Sequence, residues 1–169
     1  MLRLLGAVFV SAAAAWTGFQ AAAALRERAR ALEDMSAGLA LLEQELELGG
    51  LPLPQLMASL EGRCAGPARA LFQGCVQGLE ALDQESFSQL WRRLTASQTE
   101  LGREGQDCLA PLGEVLGRCG GSRQCQTLRA VRARLDACAA RNREEFRRQG
   151  RVYRALGLSG GVFLVLLLL

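Results

Sequence analysis

The chain has 169 residues, a net charge of +3, half of its residues apolar and only 5% aromatic. That length suits one domain with a real core, and so small a charge gives no electrostatic footprint for nucleic acid. Histidine and lysine are both absent, all 20 basic residues being arginine, which excludes Ser-His-Asp, Cys-His and zinc-His chemistry as well as P-loop and Schiff-base lysines.

The dominant residues, Leu, Ala, Arg, Gly, Glu and Gln, favour helix, and β-branched residues are too few to build a sheet. Leu4 to Leu25 reads "LLGAVFVSAAAAWTGFQAAAAL", 22 residues without a charge. As a helix it would reach roughly 33 Å, enough to cross a bilayer core of about 30 Å. A cleavable signal peptide is the competing reading, with Arg3 as its n-region and the alanines as cleavage sites. Twenty-two uncharged residues are long for such an h-region, typically about 7–15 residues, so an uncleaved anchor is expected.

Leu25, Leu32, Met35, Leu39, Leu42 and Leu46 recur in steps of three, four and seven, an amphipathic helix growing straight out of the first anchor. It should end at Gly49-Gly50, where "LPLP" follows. A short helix from about Pro54 to Gly62 comes next, then helices over 67–82 and 86–97. Another covers about 100–117, kinked or split by Pro111, before the turn residues Gly120, Gly121 and Ser122. The last helix starts near Ser122 and carries the stripe Leu128, Val131, Leu135, Cys138, Phe146, Tyr153 and Leu156.

That helix runs into the closing apolar stretch. Counted from Val152 the stretch has 18 residues, about 27 Å of helix, with Arg154 able to snorkel and Tyr153 at the interface. The organisation expected is therefore an N-terminal transmembrane helix (1–25), a helical bundle (26–151) and a C-terminal membrane helix (152–169). Arg26, Arg28 and Arg30 flank the first anchor, and Arg147, Arg148, Arg151 and Arg154 border the second, joined by Arg141 and Arg143. The positive-inside rule then places the bundle in the cytoplasm and both termini outside. The fold class expected is all-α, a small antiparallel bundle between two membrane helices.

Charge adds a packing hint. Residues 31–48 carry Glu33, Asp34, Glu43, Glu45 and Glu47 with no base, whereas 126–154 are rich in arginine. Two segments rooted in one membrane and oppositely charged are expected to lie side by side and antiparallel, although solvated faces would explain the charges equally well. The spacing of Glu43, Glu45 and Glu47 reads as solvent exposure and not as a converging acid–base site.

Six cysteines (64, 75, 108, 119, 125 and 138) are the sharpest residues by type. No C-x-x-C pair is present, which argues against zinc, and small buried hydrophobes are the simpler reading. A Cys119–Cys125 bridge across the Gly-rich turn is the one disulfide to consider. Gly113 and Gly117 form a small-xxx-small pair that close helix packing explains. The glycines fit neither a P-loop nor a GxGxxG turn, so no cofactor and no enzyme is expected.

The assembled pattern resembles the stage III sporulation protein AB family of endospore-forming bacteria. The resemblance runs end to end: "LLGA" and "WTGFQAA", then "LRERARAL", then "LALLEQELELGGLPLPQLMASL" with Gly50, Pro52 and Leu53. It continues through Trp91, "LAPLGEVLG" with Leu112, Gly113, Leu116 and Gly117, Gln124, and "YRALGLSGGVFLVLLLL" with Leu156 and Gly157. The resemblance implies a non-catalytic helical membrane protein similar to the cytoplasmic domain of the type II secretion F protein. It also implies a place in the mother-cell membrane around the forespore, in a secretion-like channel, docking a secretion-type ATPase and neighbouring subunits. The six cysteines depart from the family pattern.

Partners expected on this reading are membrane lipid and the channel subunits, with self-association left open. The basic face at 141–154 could meet acidic partner surfaces or anionic lipid, although positive-inside flanking accounts for it as well. The alternative function is an exported, disulfide-stapled helical envelope protein with a cleaved signal peptide and a C-terminal membrane tail, favoured by the even cysteine count.

Overall fold

The computed structural model describes the backbone of residues 2–49, 51–79, 86–116 and 121–168. Side chains are described for residue 20 and for 23–49, 51–79, 86–116 and 123–148. Among the described residues seven α-helices follow one another: α1 (Leu2–Leu48), α2 (Leu53–Glu61), α3 (Gly66–Leu79), α4 (Phe87–Ser97), α5 (Gly102–Leu109), α6 (Leu112–Val115) and α7 (Gly121–Leu168). A 3-10 turn at Thr99–Leu101 leads into α5, and no strand occurs among the described residues.

The chain divides into two compact units. One comprises Met1–Glu27 and Arg141–Leu169, the other Arg28–Ala140. In the first, the described backbone is helical throughout. Among the described residues no helix is long and apolar enough to cross a membrane. The stretches expected to do so, 4–25 and 152–169, fall almost wholly on side chains outside those described.

The second unit contains the whole described core. From α1 it takes Leu32, Met35, Leu39 and Leu42, and from α7 Leu128, Val131, Leu135 and Cys138. Both are the stripes that helical periodicity predicts, because residues three and four apart share one face. Leu56, Met57 and Leu60 of α2, and Ala68, Leu71, Phe72 and Cys75 of α3, pack into the same core. So do Trp91 of α4, Cys108 and Leu109 of α5, and Leu112 of α6.

The breaks between helices follow from local chemistry. α1 stops where Gly49 takes φ +66°, a left-handed cap that costs glycine little, and the Gly49 N–H donates back to the Glu45 carbonyl at 3.2 Å. Pro52 precedes α2 in extended backbone, and Pro54 stands within its first turn, where a missing N–H leaves no helical bond unmade. α4 opens on a capping box: Ser86 accepts from the Gln89 N–H, and Gln89 accepts from the Ser86 N–H at 3.0 Å. The helix expected over about 100–117 is split, as Pro111 suggested, with α5 ending at Leu109 and α6 starting at Leu112.

Candidate functional site

Two side-chain constellations organise the bundle, and the first is ionic. The Glu43 carboxylate accepts from Arg129 Nε at 2.5 Å through one oxygen and from Arg132 Nη1 at 2.6 Å through the other. Arg129 also donates to Glu47. Arg132 lies three residues further along α7 than Arg129, which alone reaches on to Glu47. The pairing therefore runs in opposite senses along the two helices. Where Glu43 and Glu47 meet Arg129 and Arg132, α1 and α7 do lie side by side and antiparallel, as the charge pattern suggests for that stretch.

The spacing of Glu43, Glu45 and Glu47 reads as solvent exposure, but Glu43 departs from that expectation, with only 7% of it exposed. Its position explains this, for Glu43 follows Leu42 at the edge of the apolar stripe, where α7 covers it. Glu47 is half-exposed, and Glu45, mostly covered, pairs with Arg63 at the start of the α2–α3 connection. Burial pushes the Glu43 carboxyl up, but the hydrogen bonds and charges of Arg129 and Arg132 outweigh it and hold the group below its ordinary value of 4.5. Glu43 in turn, with Glu47 behind it, raises the Arg129 guanidinium further. A carboxylate with both oxygens held by guanidinium groups is a poor proton acceptor. What it can do is fix one helix against another.

The second constellation surrounds α6 and is nearly dry. Trp91 is fully buried, and its indole Nε1 donates to the Leu109 carbonyl at 2.9 Å, satisfying the end of α5. Phe87 lies tilted against the indole with ring centroids 6.0 Å apart. A Cβ added to Gly113 would stand 2.7 Å from Trp91 Cδ1, so only glycine lets α6 approach this closely. Leu112 and Leu116 are buried on either side of it. Gln124 Nε2 donates to the Leu116 carbonyl at 3.2 Å and reaches Val115 at 3.4 Å, tying the first turns of α7 to the end of α6.

The structure thus gathers Trp91, Leu112, Gly113, Leu116 and Gln124 into one place, although they spread over more than thirty positions of sequence. Pro52 and Leu53 stand at the start of α2, where Leu53 packs against the core from its partly buried position. Gly50 and Gly117 lie outside the described residues, as do the side chains at Leu156. Gly157 falls within the helical backbone of α7. The basic residues Arg26, Arg28, Arg30, Arg147 and Arg148 are exposed, while the side chains of Arg151 and Arg154 lie outside the described ones. Arg28 packs over Gly102, where an added Cβ would meet its Nε at 3.0 Å.

The thiols behave as small hydrophobes. Cys75, Cys108 and Cys138 are buried, whereas Cys64 and Cys125 are half-buried. Burial pushes the Cys75 thiol up to about 12 and raises Cys64 as well, the latter against a smaller opposing pull from Arg63. Cys125 is a free thiol, and Cys119, the one cysteine considered as its partner, lies outside the described residues.

Sequence reasoning missed the Glu43 cluster as a unit. The available signal was the position of an acid beside the stripe leucine of α1, combined with arginines three residues apart on α7.

The family model for stage III sporulation protein AB matches residues 3–169. A curated relative, stage III sporulation protein AB of Bacillus subtilis (strain 168), is 28% identical over 176 residues, covering 100% of both chains. A solved structure of stage III sporulation protein AB superposes with a TM-score of 0.63 at 22% identity. It covers 72% of this chain and 97% of its own, and shows that the fold is shared.

Proposed function

The chain belongs to the stage III sporulation protein AB family, and on that premise we propose that it is a non-catalytic, membrane-anchored scaffold subunit of a secretion-like complex in endospore formation. The observation that carries this reading is the extent of the family match, residues 3–169, which takes in both apolar ends along with the helices between them. In this reading Leu4–Leu25 and 152–169 are membrane helices in the mother-cell membrane around the forespore. The bundle faces the cytoplasm, resembles the domain of a type II secretion F protein, and docks a partner ATPase and neighbouring channel subunits. Two anchors confine the bundle to a thin layer at the membrane, so modest interfaces suffice to recruit partners at high effective concentration.

A bundle of this kind needs rigidity more than reactivity, and the Glu43 rivet and the Trp91–Gly113 packing both support that role. The exposed arginines 141–148 are then flanking charges first, and a recruiting surface second.

Topology is the test. Intact, non-sporulating cells expressing the full chain would be treated with a membrane-impermeant maleimide, with and without mild reductant, and again after permeabilisation. Half-buried Cys64 and Cys125 should react only once the membrane is opened, without reductant, and Cys75 only after unfolding. Labelling of intact cells once reductant is added would overturn the reading in favour of an exported, disulfide-stapled domain. The ATPase would be tested by co-purification with the full chain in detergent. Loss of capture on reversing Arg141, Arg143, Arg147 and Arg148 to glutamate, with membrane insertion intact, would assign the docking surface to that segment.

A further inference from the structure

We draw no further inference here: the strongest candidate, the exposed apolar knuckle of Leu48 and Leu51 at the turn between α1 and α2, has nothing in the structure to show what covers it.

Discussion

The packing around α6 and the ionic seam between α1 and α7 solve the same problem with opposite chemistry. Each joins segments far apart in sequence, Trp91 to Gly113 and Leu109 in one case, Glu43 to Arg129 and Arg132 in the other. The α6 hub is held by shape, by the buried Trp91 hydrogen bond and by the part-buried reach of Gln124, all neutral groups, so its strength depends mainly on volume. The seam is held by charge, and its arginines reach solvent: Arg129 is 64% exposed and Arg132 33%. Such a contact answers to pH and salt, which a dry hub does not. Steric fit is therefore expected to set the stability of the bundle, and the ionic seam to adjust it.

Removing the centre of the hub should have the largest effect. Trp91→Ala empties a fully buried site and orphans the Leu109 carbonyl, for an expected loss of about 3–5 kcal/mol in urea unfolding of the full chain in detergent. A loss below about 1 kcal/mol would mean that the hub is not what fixes α6. Gly113→Val tests the same place by overfilling it. With Trp91 atoms at 2.7 and 3.0 Å from the new Cβ, the cost should be about 1–3 kcal/mol.

The seam should respond less, and differently. Glu43→Gln keeps the shape and removes the charge, with an expected loss on the order of 1–2 kcal/mol near neutrality, because both arginines retain water. Its signature lies in the pH profile. The folded carboxyl titrates below its ordinary 4.5, so its contribution is complete above that value and disappears as pH falls through the lowered folded one. The variant should lack that acid limb, while Trp91→Ala should keep it. Parallel profiles for wild type and Glu43→Gln would break the distinction drawn between the two regions.

Smallest of all should be the surface pair. Arg63→Ala removes the partner of Glu45 but leaves a half-exposed site, and the change should stay within about 1 kcal/mol and shrink further in high salt. A larger loss would extend the seam from Glu43 to the end of α2.

Much of this molecule could be read without coordinates. The stripe from Leu32 to Leu42, the stop at Gly49, the split at Pro111 and the stripe from Leu128 to Cys138 are local matters of period, backbone freedom and a missing N–H, which a sequence displays directly. The charge contrast between 31–48 and 126–154 was visible too, and it named the two helices that meet. Trp91, Gly113 and Gln124 stood out by resemblance, but nothing in their spacing said that they meet around α6.

Which acid is buried, and which glycine is pressed against an indole, were decided by tertiary structure alone. Glu43, Glu45 and Glu47 are chemically identical and sit within five residues of each other. Only the path of α7 across α1 puts Glu43 under two arginines and leaves Glu47 half in water. Gly113 is one of 19 glycines, and only the seating of Trp91 makes its missing Cβ a requirement. Periodicity fixes the direction a side chain takes from its own helix, but what it meets there depends on a second helix placed by the whole core.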